Sequence, residues 1–346
     1  MHLVLHIGIA EAAAALIQDS LAANADWLRA RGMVYADLLA PTPNHITLFF
    51  ACATQVHRLA RDYGLQDKSD LAAFRTRLAT HIDRQIAARP PGVETMVMAS
   101  PALTGLMRRE DEIAALHALL RPRFASMRVL VYVRRQDDAT LLKYADLVRR
   151  GQLAAPFERF VETCLGEDRP MPHLDYRTSL TPWLRVWGPE ALVVRRFSPT
   201  ELIDGDILAD VMGVLMQTWE PALQGFRPAP DHAPVLAAPA LELLRQMQGR
   251  LPFAGKNGAP NPRRRALMPV INALPRSPRP IMAAATARQI MGQYRPANTW
   301  LKETFAPNLE GPFFPDRPDH PEHGNLGALG ADEAACYAGQ LLSAAS

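Results

Sequence analysis

The residues best placed to hold an anion come first in the chain. Residues 3–9, LVLHIGI, form an apolar run that reaches Gly8, and an alanine-rich stretch of good helix formers follows. A strand, a tight turn and a helix in that order aim backbone N–H groups and the positive helix end at the loop, which suits phosphate or sulfate. Gly8 would make the turn, and Glu11 falls in the first helical turn, where such loops usually offer a lysine. Two further groups fit the same chemistry. His45 follows Asn44 at the start of a helix, and an imidazole titrating near neutrality suits a general base. The plainer reading makes Asn44 a helix cap with His45 in the first turn. Arg134 and Arg135 follow residues 128–133, RVLVYV, the strongest strand pattern in the chain. Parallel sheets bind ligands at that carboxyl edge, so both arginines are anion-site candidates, against a surface ion pair with Asp137 or Asp138.

Other polar groups read more blandly. His6 either orders the loop or is a satisfied core histidine, and the second reading is preferred. His173, Asp175, His320 and His323 form no close ligand set, so no metal is expected. Arg263, Arg264 and Arg265 read as a solvated turn, with an anionic glycan or nucleic-acid contact as the alternative. Trp183 and Trp187, four apart on a helix, read as packing rather than as a sugar platform.

The elements that must position these groups alternate. Helices are expected over 12–31, stopped by Gly32, and over 44–63, 69–88, 109–121 and 138–150. Strands are expected at 3–9, 94–99, 128–133 and 191–197. Such alternation predicts a parallel sheet covered on both faces, an α/β domain. Residues 199–305 read as helical, broken by Pro-rich segments at 226–239 and 252–280. The tail from 306 reads as a wrapping or partly disordered extension. The expected organisation is an α/β core over 1–198, a helical extension of the same domain over 199–305, and a Pro/Gly-rich tail over 306–346.

Composition narrows the function classes. The 346 residues are 48% apolar and 21% charged, which excludes wholesale disorder. A net charge of only +3 gives no sign of a nucleic-acid coat or a polybasic anchor. Cys52, Cys164 and Cys336 are too few and too far apart for a disulfide framework. The apolar N-terminus lacks the basic flank of a signal peptide, and no run reaches the ~18 apolar residues of a spanning helix. A cytoplasmic protein with no membrane insertion and no nucleic-acid partner is expected.

Several segments together resemble a known family. Leu5-His6-Ile7-Gly8, Ile17-Gln18, and then Asn24, Leu28, Gly32 and Tyr35 resemble the opening of the bacterial sulfotransferase-like family that uses 3′-phosphoadenosine 5′-phosphosulfate. Residues 131–137, VYVRRQD, look like that family's strand-end motif with its 3′-phosphate-binding arginine. Leu174-Asp175-Tyr176, Trp183, Trp187-Gly188 and Val193-Val194-Arg195 resemble its later helix and strand. The likeness covers roughly residues 3–306 and implies a three-layer P-loop-type α/β domain with an appended helical region.

The same comparison shows what is missing. The loop reads Ile9-Ala10-Glu11-Ala12-Ala13-Ala14-Ala15 here, and aligned on Gly8 and Gln18 the family's His-Lys-Thr-Gly-Thr-Thr has Glu11 at its lysine, Ala13 at its glycine and alanines at its threonines. A carboxylate suits the helix dipole but repels the anion seeking the same N–H groups. No lysine precedes Lys68, and the later Gly255-Lys256 lacks the rest of a phosphate loop. Leu142 stands where the family has a phosphate-binding serine, and Ala99-Ser100-Pro101 where it has Ser-Ser-Glu. The expected function is therefore a degenerate, non-catalytic family member, repurposed as a carbohydrate- or protein-binding scaffold in bacterial glycan metabolism, with no cofactor. The alternative is an active sulfotransferase that moves sulfate from 3′-phosphoadenosine 5′-phosphosulfate to a carbohydrate hydroxyl, its cofactor bound by loop N–H groups and Arg134 at a site whose positions are Gly8, Glu11, Arg134 and Arg135. A third reading uses Glu11 as the base of a different group transfer.

Overall fold

The computed structural model describes the chain except residues 9–10, 167–173, 231–233, 255–260, 318–319 and 344–346, and the side chains at 11 and 12. The first half runs β1 (His2–His6), α1 (Glu11–Ala23), α2 (Ala25–Arg29), β2 (Met33–Tyr35), α3 (Thr47–Cys52) and α4 (Arg58–Arg61). It continues through α5 (Lys68–Ala87), β3 (Thr95–Ala99), α6 (Ala102–Gly105), α7 (Glu110–Leu120) and β4 (Ser126–Val133). Then come α8 (Gln136–Arg150), α9 (Phe157–Leu165), α10 (Tyr176–Trp187), β5 (Leu192–Arg196) and α11 (Ile207–Met216). The remainder is helical: α12 (Ala238–Gln246), α13 (Pro262–Ala273), α14 (Ala284–Gln293), α15 (Arg295–Phe305) and α16 (Ala331–Ser343).

All strand pairs are parallel, and the sheet order is β2-β3-β1-β4-β5. The fold is therefore α/β, as the strand–helix alternation predicts. β1 is central, and Leu3, Val4 and Leu5 are buried, as expected of a strand covered on both sides. Alternation divides the two faces. Val4, Val97, Leu130 and Tyr132 join Ile17 and Leu21 of α1 and Leu208, Val211 and Met212 of α11 in one core. Leu3 and Leu5 turn the other way. In the second helical layer α3 packs on α5 and α7, and α7 packs on α10.

The residues group into two compact units. One comprises Met1–Arg134, Asp175–Pro230 and Glu303–Pro307 and holds the whole sheet. The other comprises Arg135–Leu174, Asp231–Lys302 and Asn308–Ser346. Thus α11 belongs with the sheet, whereas α8 and α9 group with the later helices. In the second unit α8 packs against α9, α12 and α14. Among the described residues, no helix is long and apolar enough to cross a membrane.

Three local departures from sequence pattern have physical causes. The helix expected over 44–63 is two helices. Ala53 is extended, and the Glu112 carboxylate takes both the N–H of Thr54 (2.8 Å) and its hydroxyl (3.0 Å). The N–H that would continue the helix is thereby used elsewhere. β2 has three residues on an edge, too short to show a period. The tail carries α16, which packs on α12 and α13, its Tyr337 and Leu341 buried.

A buried carboxylate network joins the two sides of the first core. Asp210 is fully buried, and its Oδ1 accepts from the Tyr132 hydroxyl (2.7 Å) and from Arg195 Nε (3.0 Å). Its Oδ2 accepts from a second Arg195 nitrogen and from the Ile203 N–H (3.1 Å). With every acceptor used, the charge is tolerated. Removing one partner strands the other, so Asp210→Ala is expected to lower stability in urea unfolding by about 3 kcal/mol. Asp210→Leu with Arg195→Met should recover part of that loss, because neither charge is then buried alone.

Candidate functional site

The carboxyl edge of the sheet is where this topology opens a crevice, because β1 lies between strands reached by connections running in opposite directions. The turn leaving β1 is held by its own strand neighbours. The Ser100 N–H donates to His6 O (2.9 Å), the Ile7 N–H to Leu130 O (3.0 Å) and the Tyr132 N–H to Gly8 O (2.9 Å). The Thr104 hydroxyl donates to Ile7 O (2.7 Å). Gly8 takes φ +111°, and a Cβ there would lie 2.8 Å from Thr104 Oγ1 and 3.2 Å from Pro101 Cα. Only glycine fits both the dihedral and the space. α1 begins at Glu11, and Gln18 of that helix donates to Ala99 O (3.1 Å), tying it to the end of β3. Ile9 and Ala10 lie outside the described residues.

His45 lies at the same edge, with both ring nitrogens engaged. The Ala99 N–H donates to Nδ1 (2.9 Å), so the proton sits on Nε2, which donates to Ala36 O (2.8 Å). The His45 N–H donates back to Ala99 O (3.0 Å), and Tyr35 stacks on the ring at 4.5 Å. Burial pushes the imidazole down to about 4, partly offset by the Ala36 carbonyl and by Asp37. A ring fixed in this way has no lone pair for a substrate proton and links the ends of β2 and β3. Asn44 does not cap a helix here, since its Oδ1 accepts from the Ser100 hydroxyl (2.8 Å). His6 is also buried and pushed down to about 4 by desolvation, with the Gly8 backbone offsetting part. Its ring meets Tyr132 edge-on at 5.9 Å, and among the described residues no group makes a hydrogen bond of ordinary geometry to Nδ1.

The two arginines part company. Arg134 directly follows β4, and its guanidinium lies 3.8 Å over the Phe197 ring. The Tyr176 hydroxyl accepts from the Arg134 N–H (3.1 Å) and donates to the Arg134 carbonyl (2.5 Å), fixing that corner. Arg135 opens the second unit and is buried. It grips Asp137 with two nitrogens (3.1 and 2.8 Å) and donates a third time to the Pro315 carbonyl. A bidentate partner at 0% exposure neutralises it and leaves little for an incoming anion. His320 approaches Asp137 at 3.4 Å, and Arg317 pairs with Asp138 at 2.8 Å, so the tail lies along the start of α8.

Gly8 and His45 therefore meet at one edge through Ala99 and Ser100, with Arg134 at the end of the neighbouring β4. Arg135 serves a different cluster. His173 and Lys256 lie outside the described residues, as does Asp319, the neighbour of His320. Among the described residues no three His, Cys, Asp or Glu side chains are grouped to hold a metal. Trp183 and Trp187 are buried and stacked at 6.1 Å. The Asp210 network is invisible to motif reading. The available hint is period 2 in β5, which turns Arg195 and Arg196 to opposite faces.

Two tests follow from this edge. Both histidines are held below the free value of 6.5, so the unfolded chain binds protons first and stability falls as pH drops from 6.5 toward 4. The expected loss is roughly 2 kcal/mol per histidine by pH 5. His45→Gln should flatten urea-unfolding stability against pH in that window, beyond any uniform loss. Gly8→Ala, strained at its dihedral, should cost about 1–3 kcal/mol in the same measurement.

No protein-family description matches the chain, and no curated protein matches it. A solved structure, a sulfotransferase from Alicyclobacillus acidocaldarius, is similar over 66% of this chain and 86% of that chain, with 14% identity and a TM-score of 0.36.

Proposed function

We propose that this chain is a sulfotransferase-like protein whose cofactor loop has lost its chemistry, and that it acts as a binding or scaffolding partner in bacterial glycan metabolism. The observation that carries the reading is Glu11 at the first position of α1, on the helix that leaves the central strand through a positive-φ glycine. That geometry suits a P-loop-type anion loop, and the residue in it has the wrong sign. The rest of the donor set supports the same reading. Arg135 is already paired with Asp137, His45 has neither nitrogen to spare, and Leu142 replaces a hydroxyl. These residues do not fit 3′-phosphoadenosine 5′-phosphosulfate.

Arg134 favours the active alternative, since a guanidinium stays at the carboxyl edge beside Phe197. Calorimetric titration of adenosine 3′,5′-bisphosphate into the full chain separates the two readings. The wild type is expected to show no saturable binding and no rise in Tm. Ala14 is fully buried, so the matching gain-of-function variant changes only Glu11. Glu11→Lys reverses a local charge and is expected to tighten binding by about tenfold or more. Saturable wild-type binding that Arg134→Ala abolishes, together with sulfate transfer to a polysaccharide acceptor, would establish the active enzyme instead.

A further inference from the structure

The chain's charge is unevenly placed. Between Glu242 and Glu303 lie 60 residues with nine arginines, two lysines and no acidic residue. The remainder holds 27 basic and 35 acidic residues, so the modest net charge of +3 conceals one strongly basic stretch. Its described part falls in the second compact unit up to Lys302. Elsewhere in that unit arginines are matched: Arg149 pairs with Asp146, Arg159 with Glu162 and Arg317 with Asp138, and at the border of the stretch Arg245 pairs with Glu242. Within the stretch Arg264 is buried and spends its charge on the carbonyls of Val148, Arg149 and Leu251. Arg263, Arg265, Arg276 and Arg279 are exposed. Among the described residues none of these four has a carboxylate partner.

These four arginines flank one helix. Arg263 and Arg265 open α13, and Arg276 and Arg279 follow its end, about 18 Å further on for twelve residues. Each pair has an exposed apolar neighbour. Phe253 is 44% exposed, and its carbonyl accepts from the Asn261 N–H (2.9 Å) just before Arg263. Ile281 is 42% exposed, two residues beyond Arg279.

From this placement we infer that the α13 region docks on an anionic lipid bilayer surface. Guanidinium forks match phosphodiester oxygens, and each basic residue near such a surface adds to binding. The two apolar side chains decide between polyanions. A hydrocarbon boundary accepts both a phenyl ring and an aliphatic chain, whereas a nucleic-acid base would stack only on Phe253. Docking of this kind needs no spanning helix and is independent of the nucleotide chemistry at the other unit's sheet edge.

The test is sedimentation of the full chain with vesicles of phosphatidylcholine alone or with about one part in three phosphatidylglycerol. Binding is expected only to the anionic vesicles, weakening as salt rises toward physiological strength. Arg263→Glu with Arg265→Glu should reduce partitioning by about tenfold or more. The same reversal at the exposed Arg58 and Arg61 should change it far less. Phe253→Ser with Ile281→Ser should weaken binding while leaving Tm unchanged. Equal binding to neutral vesicles, no binding to anionic ones at low salt, or equal losses at Arg58 and Arg61 would each overturn the inference. So would apolar variants that bind like the wild type, or an oligonucleotide that binds the chain when anionic vesicles do not.

Discussion

The N–H of Ala99 donates to one nitrogen of His45, the other nitrogen donates to the carbonyl of Ala36, and on these bonds the carboxyl edge of the sheet depends. They fasten the end of β3 to the chain leaving β2. Ser100, held by the same arrangement, reaches across to the last carbonyl of β1. The bonds require a neutral ring in one tautomer, and burial enforces the neutral state. The edge where an α/β protein would ordinarily present polar groups to a ligand is here built from polar groups bonded to each other.

That inward use recurs. Thr104 spends its hydroxyl on Ile7, Arg135 its guanidinium on Asp137 and Pro315, and Tyr176 its phenol on both backbone groups of Arg134. Each such bond stabilises the scaffold by about 1 kcal/mol or somewhat more when charge is involved. Each also removes a donor or base that transfer chemistry would need at low reorganisation cost. Glu11 adds a charge of the wrong sign at the helix start. Polar groups engaged with one another in this way are what the proposed binding function requires of this edge.

Much of this was legible in the residues. The central strand, Gly8, the helix after it and the strong β4 pattern follow from apolar runs and helix formers, and their order implies the parallel sheet. The long helix α5 begins where Asp67 and Asp70 form a reciprocal cap. The failures lie where a distant side chain decides. Glu112 ends α3 through Thr54, 58 residues away, and the charge of Asp210 on α11 is tolerated because Arg195 of β5 and Tyr132 of β4 reach it. Residue type alone offers His45 as either a base or an ordinary first-turn residue. Its role is set by two backbone groups that sequence spacing does not bring together.

Nitrogen-15 NMR of the histidine rings reads the protonation state on which the His45 bonds depend. His45 is expected to show the Nε2–H tautomer at neutral pH and to hold that signature down to about pH 5, because burial pushes its pKa down to about 4. A His45 ring that titrates near 6.5, or that exchanges freely between tautomers, would mean its nitrogens face solvent or substrate. The edge would then be an open catalytic site.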